Sequence, residues 1–295
     1  MSVLERKQRV KEKRIYSIGR LRLKNRLLLS PMLEPNDIAF RLLCKKMGCS
    51  LTYTGMISPL SKQELFLDDK PAIQLFGNSD KGIKEFIKRY DGKVSLWDFN
   101  LGCPSKLSNR LAHGAFMHDD LESIENILKT MRESTKKPIT IKLRKSPRAI
   151  EIAKLSEKYV DAIGIHPRTI KQGYSGNPDY NFALEMKKAV SIPVIYSGEV
   201  KKENVDKILQ DFDFVFLGRE AIGNPSIFSE ILGKKKRVNF EDYVKLAEKY
   251  KLFFRQIKYQ AMVFTKGRKN AKEIRRQLIG ARTIEELKRI MKTNK

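Results

Sequence analysis

Apolar residues in this chain gather in short, near-continuous runs. Eight recur between residues 26 and 217: Arg26–Ser30, Leu51–Thr54, Ala72–Phe76, Val94–Phe99, Ile139–Leu143, Ala162–Ile165, Val194–Tyr196 and Phe214–Leu217. Such runs, rich in β-branched and large apolar side chains, predict strands covered on both faces. Between most of them the spacing turns helical. Asn36–Met47 follows Pro35 and keeps Ile38, Phe40, Leu42 and Leu43 apolar. Asp119–Ser134 carries Leu121, Ile124, Ile127 and Leu128 at helical spacing, and Pro147–Tyr159, Asp179–Val190 and Lys202–Leu209 behave alike. The segment between the second and third runs is less regular. Alternating strands and helices predict a parallel sheet, and eight strands predict its closure into an α/β fold, the (β/α)8 TIM barrel.

After Gly233 the pattern changes. Phe240–Thr265 carries a helical stripe of Tyr243, Leu246, Tyr250, Phe253, Phe254 and Ile257 with Lys and Arg between. A turn near Lys266–Asn270 leads to a helix over Ala271–Leu278, and another over Thr283–Lys292 opens on Thr283-Ile284-Glu285-Glu286, a capping box. The chain therefore divides into a barrel over 1–235 and a smaller helical domain over 236–295. Charge sharpens this division. The formal net charge is +26, and residues 231–295 hold 20 Lys and Arg against 6 Asp and Glu. Surface ion pairing explains many charges of both signs but not this imbalance, which points to a polyanionic partner, nucleic acid first.

Three cysteines, Cys44, Cys49 and Cys103, suggest no disulfide framework, so a reducing cytoplasm is expected. Cys44 and Cys49 have no partners at a zinc-like spacing and read as inert thiols, so no metal is expected. No run of about 18 apolar residues exists to span a membrane. Met1–Arg14 is charged and lacks the apolar stretch of a secretory signal. No Gly-x-Gly-x-x-Gly follows a first strand and no Walker loop is present, which argues against a Rossmann site or an NTPase.

In such barrels the active site lies at the C-terminal strand ends. Those ends carry Pro31-Met32, Gln74, Asn100 with Cys103, Lys142 with Arg144, His166 with Arg168, Ser197-Gly198-Glu199, and Gly218-Arg219. Taken singly, each is compatible with a solvated rim or a satisfied loop residue. Together they converge on one mouth. In Asn100-Leu101-Gly102-Cys103-Pro104-Ser105, Gly102 is expected to let the chain turn and Pro104 to fix the backbone beyond the thiol. The glycines after strands seven and eight, with Arg219, predict a site for a phosphate-bearing cofactor. A cation such as Lys142 or His166 beside a flavin ring would stabilise its reduced form.

These residues resemble the tRNA-dihydrouridine synthase family over nearly the whole chain. The resemblance rests on Ser30-Pro31-Met32, Asp98-Phe99-Asn100-Leu101-Gly102-Cys103-Pro104-Ser105, Lys142-Leu143-Arg144, His166-Pro167-Arg168-Thr169, and Gly218-Arg219 with Gly223-Asn224-Pro225. It implies an FMN-dependent barrel with a helical tail that holds tRNA. It implies reduction of a uridine turned out of its stack, with hydride from FMN to C6 and a proton from Cys103 to C5. NADPH, or NADH, binds transiently as reductant. A thiol of ordinary pKa, about 8.5, is protonated at neutral pH and suits a general acid. The resemblance assigns FMN contacts to Pro31, Met32, Gln74, Lys142, His166, Ser197, Gly198, Glu199, Gly218 and Arg219. It turns Arg168 toward substrate; Asn100 is expected to hydrogen-bond near the base or flavin edge, and Lys106 and His113 are further substrate candidates, His113 reading equally well as a plain loop residue. Departures from the family pattern are Ser197-Gly198-Glu199 where Asn-Gly-Asp is common, Ile170 where an Arg often stands, and Glu220 where Gly is common. A monomer without an obligate protein partner or a membrane is expected. Two other readings are an FMN-dependent reductase of small pyrimidines or enes, and a non-catalytic barrel that binds RNA. The first leaves the basic tail unexplained, and the second predicts a colourless protein.

Overall fold

The computed structural model describes residues 15–34 and 36–293. The expectation for Met1–Arg14, and the position of Pro35 before a helix, lie outside the described residues. The chain enters with an element the apolar runs did not predict, a hairpin of β1 (Tyr16–Ile18) and β2 (Leu21–Leu23). All eight runs then form strands: β3 (Leu27–Leu29), β4 (Tyr53–Ile57), β5 (Ala72–Leu75), β6 (Leu96–Leu101), β7 (Ile139–Arg144), β8 (Ala162–His166), β9 (Val194–Ser197) and β10 (Phe214–Leu217). They form one sheet ordered β3-β10-β9-β8-β7-β6-β5-β4, its neighbouring strands parallel. The two ends of that order meet through a parallel bridge, Leu28 to Leu51, with Leu29 N–H donating to the Leu51 carbonyl at 3.0 Å. The sheet therefore closes into the expected barrel.

Strand alternation sorts the core into two. Leu27, Leu29, Ile73, Leu75, Trp97, Phe99, Ile139, Ile141, Ile163, Ile165, Val215 and Leu217 point outward into a layer shared with the helices. Leu28, Tyr53, Ala72, Leu96, Ala162, Ile195, Phe214 and Phe216 form a separate inner cluster, joined by Ile18 and Leu23 of the hairpin. These inner residues come from the first half of most strands, so the hairpin plugs the N-terminal end of the barrel.

The surrounding helices are α1 (Ile38–Lys46), α2 (Ile83–Tyr90), α3 (Lys106–Arg110), α4 (Leu121–Ser134), α5 (Ala149–Ser156), α6 (Tyr180–Ala189), α7 (Val205–Asp211) and α8 (Ile227–Ile231). Asp37, Asp120 and Asp179 start α1, α4 and α6 by accepting a backbone N–H three residues on. The irregular segment between β4 and β5 holds no helix. It is fixed by buried Asp69, which accepts two bonds from Arg41 (2.9 and 3.1 Å) and one from Thr52 (2.5 Å).

Four helices follow: α9 (Phe240–Lys249), α10 (Phe254–Val263), α11 (Ala271–Gly280) and α12 (Ile284–Thr293). The single stripe expected over Phe240–Thr265 is two helices, because Lys251 takes a left-handed conformation (φ 50°) between them. The capping box on α12 forms: Thr283 Oγ1 accepts from Glu286 N–H, and Glu286 Oε2 accepts from Thr283 N–H. These helices share the outer core through Phe240, Tyr243, Val244, Ile257 and Phe264. Asp37 ties them to α1, accepting from the Tyr243 hydroxyl (3.2 Å) and Gln260 Nε2 (2.9 Å). Gly223, at φ +72°, lies where a Cβ would sit 2.0 Å from the Val263 carbonyl oxygen.

That approach leaves no room for even a methyl group. Gly223→Ala should lower unfolding free energy by about 3 kcal/mol through overpacking and backbone strain. Gly267→Ala, equally left-handed (φ +77°) but with open space around it, should cost about 1 kcal/mol. Urea midpoints of the two variants check this, and equal losses would refute the close-packed joint.

Candidate active site

The same strand parity that buries Ala72, Leu96 and Ala162 at one end of the barrel delivers polar side chains at the other. Register pairs Gln74 with Asp98, Asp98 with Thr140, Asn100 with Lys142, and Arg144 with His166. Gln74, Asp98, Asn100, Thr140, His166 and Ser197 are all buried. Buried polar groups require partners, and here they find one another. Asp98 accepts from Thr140 Oγ1 and from Gln74 Nε2, both at 2.5 Å. Gln74 Oε1 accepts from Asn100 Nδ2 at 2.7 Å. Asn100 Oδ1 accepts from Gly102 N–H (3.2 Å) and Cys103 N–H (3.0 Å). Asn100, expected near the base or flavin edge, thus turns its carbonyl onto its own loop.

Cys103 is partly exposed at the rim. The loop around it is held from several sides. Ser105 caps α3 by accepting from Ser108 N–H at 3.0 Å. Gly102 is needed less for a turn than for proximity to β7: a Cβ would lie 3.1 Å from the Lys142 carbonyl oxygen. Gly114 (φ +66°) closes over the thiol, since a Cβ there would lie 2.9 Å from the Cys103 carbonyl oxygen and 3.1 Å from its Cβ. Buried Arg144 donates from Nε to the Gly102 carbonyl (2.8 Å) and from Nη1 to that of Gly173 (2.8 Å), joining this loop to the one after β8. His118 bridges the Leu101 carbonyl and the Ser146 hydroxyl, each at 2.6 Å. Sequence reasoning gave Arg144 and His118 no role, nor Asp98 and Thr140; only strand parity hinted at the last two.

His113 lies in the same loop, 2 % exposed, its ring 4.7 Å from that of Phe76, and neither ring nitrogen has a partner. Lys106 stands exposed on the first turn of α3.

Across the mouth, Lys142 is partly exposed, and its pKa is lowered to about 8, by burial first and then by Arg144. Asp98 is pushed up to about 7 by burial, against the bonds from Thr140 and Gln74 and the charge of Lys142. His166 contacts Ser197 Oγ at 3.3 Å and Arg168 Nη1 at 3.4 Å. Burial, then the charges of Lys142, Arg144, Arg168 and Arg219, depress it to about 2. Of the two cations expected here, Lys142 is one; His166 is a neutral imidazole.

Arg168, expected to face substrate, is fully buried. It donates to the carbonyls of Ser175 and Gly176 and pairs with Glu199 at 3.2 Å. Glu199 (φ 53°) also lies 3.6 Å from Arg219, so its carboxylate faces two guanidinium groups in the loop expected to take a phosphate. Arg219 itself is half exposed. Gly218 sits opposite Ser30 and Met32, where a Cβ would make only ordinary contacts of 3.5 and 3.8 Å. Pro31 and Met32 line the rim beside it, and Ser197 and Gly198 complete the turn after β9.

Similarity to known proteins agrees with this geometry. A family model described as dihydrouridine synthase (Dus) matches residues 28–294. The chain is 31% identical to tRNA-dihydrouridine synthase B of Pectobacterium carotovorum, covering 72% of this chain and 73% of that protein. It is 30% identical to a probable tRNA-dihydrouridine synthase of Aquifex aeolicus (strain VF5), covering 90% and 94%. Among solved structures, the old yellow enzyme homologue from Zymomonas mobilis superposes with a TM-score of 0.57 at 12% identity, over 78% of this chain and 95% of that one. That likeness concerns the fold.

The chain has three histidines, and burial lowers the pKa of each one. Their imidazole Cε1–H resonances should therefore show no midpoint above 6.5, with His166 flat from pH 8 down to pH 5. A His166 midpoint within that window would contradict the neutral ring.

Proposed function

The chain belongs to the dihydrouridine synthase family, and from that premise we propose how it forms dihydrouridine in tRNA: hydride and a proton add across the C5–C6 bond of a uridine, with Cys103 as proton donor. The residues at the mouth fit FMN. Gly218 makes only ordinary contacts in its turn, Arg219 offers a half-exposed guanidinium, and the Lys142 ammonium and the Ser197 hydroxyl, the latter held by neutral His166, supply donors for ring oxygens and nitrogens. Held there, FMN would supply hydride chemistry, with NADPH as the reductant.

This chain's residues do the rest. The Cys103 thiol gives its proton to C5, and the thiolate recovers one from solvent. Asn100 holds the Cys103 peptide, and Lys142 carries the positive charge of the mouth. His113, buried in the Cys103 loop with two unpartnered nitrogens, meets the substrate, where a base edge satisfies one of them. The observation that carries this reading is a single thiol, held at the rim by a hydrogen-bonded amide, above a barrel end lined with donors.

A uracil ring must leave its stack for its face to be reached. The helical region over 236–295 acts as the RNA-holding domain. Its cations answer the phosphate backbone, so recognition follows the shape of a folded RNA. Lys269, Lys272 and Arg282 stand exposed there.

Cys103→Ala should keep flavin and tRNA bound while dihydrouridine formation falls at least about 100-fold, the scale of a positioned proton donor. Liquid chromatography of digested tRNA reads this directly, and full turnover would remove Cys103 from the role. The triple change Lys269→Gln, Lys272→Gln, Arg282→Gln should weaken tRNA binding and shallow its salt dependence by about one log-log unit for each phosphate no longer neutralised. FMN affinity should not move. An unchanged salt slope would take these residues off the RNA surface.

A further inference from the structure

Among the described residues two aspartates are buried in the core, and they are treated differently. Asp69 faces a guanidinium, that of Arg41. Asp98, with no exposed surface, has no cation within ion-pair distance among the described residues. It sits in the wall of the barrel beneath the reacting centre and touches neither the rim nor the loop of Cys103. Leaving a carboxylate there is costly unless it does something a neutral group would not.

Ionised, as most of Asp98 is at pH 8, above its pKa of about 7, a carboxylate only accepts. Both oxygens are engaged, one by the Thr140 hydroxyl and one by Gln74 Nε2. Because Asp98 accepts only, the NH2 end of Gln74 must face it, which turns the Gln74 carbonyl toward Asn100. That carbonyl requires the NH2 end of Asn100 (2.7 Å). The Asn100 carbonyl is then left for the N–H groups of Gly102 and Cys103. The N–H groups of Gly102 and Cys103 demand the same sense from the other end, since they only donate to Asn100 Oδ1. Asp98 makes the Gln74 end agree with them, where a group able to donate to Gln74 would not, and the last link is the peptide that bears the thiol.

We propose that Asp98 is a positioning residue: acting through Gln74 and Asn100, it holds the peptide of Cys103 in the one orientation that presents the thiol. The proposal rests on the reading of Cys103 as proton donor for its functional meaning, though not for its structural content. A proton donor displaced by about 1 Å loses much of its rate.

Asp98→Asn is nearly isosteric and can satisfy Gln74 in either sense. In the purified full chain at pH 8, amide hydrogen exchange of Gly102 and Cys103 should accelerate at least tenfold, with the amides of Ile141 and Ile163 unchanged. Thr140→Val disturbs the same layer but keeps the link from Asp98 to Gln74, so it should leave both loop amides protected. In the flavin-loaded enzyme, Asp98→Asn should slow reoxidation of the reduced protein by tRNA at least tenfold and leave its reduction by NADPH unchanged. Combined with Asn100→Ala it should slow reoxidation no further than Asn100→Ala alone, because both act along one chain. Wild-type exchange at Gly102 and Cys103 in Asp98→Asn would overturn the proposal, as would equal loss of protection in Thr140→Val or multiplicative effects in the double variant. If Cys103→Ala retained full turnover instead, the proton-donor reading would fail while the exchange data still judged the positioning.

Discussion

The two-residue period of a strand inside a closed barrel is the constraint on which the rest depends. On a parallel strand covered by helices, one parity of side chains meets the helices and the other meets the barrel axis. Along β6 this puts Trp97, Phe99 and Leu101 outside and Leu96, Asp98 and Asn100 inside. The inward series changes character partway along: apolar at the end closed by the β1–β2 hairpin, polar toward the mouth. Neighbouring strands do the same at matched register, from Ala72 to Gln74 and from Ala162 to His166. A one-residue slip in β6 would drive Trp97 and Phe99 inward and turn Asp98 and Asn100 into the apolar layer beneath the helices, away from Gln74 and Thr140. Fold and site are in that sense one decision, taken by register.

Electrostatics at the mouth follows from the same crowding. Burial first, and then the four cations around it, keep the His166 ring neutral. Burial and then Arg144 lower Lys142 to about 8, with Asp98 acting the other way, so it still holds most of its proton at neutral pH. Arg144 stands at a strand end with no role assigned from sequence, and Arg168 is expected to face substrate. In the folded chain their donors are satisfied by carbonyls of the loops after β6 and β8, and each holds backbone in place. That leaves Arg219 as the half-exposed arginine at the mouth, with Glu199 3.6 Å away as a resident anion that a phosphate would have to displace or share.

Much of this was legible in the chain. Short apolar runs, bounded by polar or glycine-containing loops, gave all eight barrel strands, and the helical spacing between most of them gave the helices that separate them. The β1–β2 hairpin was not legible because three-residue strands carry too short a pattern to distinguish from a charged loop. The break between α9 and α10 was hidden because a lysine, Lys251, takes the left-handed turn that sequence reading reserves for glycine or asparagine. The strand-end residues were legible as a set, but not which of them meet. That Asp98, Gln74 and Asn100 form one directed chain depends on the pairing of β5 with β6, and residues 74 and 98 are distant in sequence. The direction in which Arg168 points depends likewise on carbonyls supplied by the loop after β8, which no local pattern encodes.

The joint between barrel and helices fixes where the basic surface stands relative to the mouth. The loop after β10 contains both Arg219 and Gly223. Lys266, in the turn between α10 and α11, donates to the Arg219 carbonyl at 3.0 Å and lies 3.6 Å from Glu220. Gly223 packs against the end of α10, and Asp37 at the start of α1 accepts from α9 and α10. The basic helices are thus fastened to the loops after β3 and β10, adjacent strands of the barrel whose ends also bear Met32 and Gly218. A flexible linker would let the two parts turn independently. Fastening at three points holds the helices at a fixed offset from the barrel mouth, so an RNA bound as proposed would be held at that same offset. Glu220 adds a carboxylate that Lys266 meets at 3.6 Å, beside the arginine of the mouth.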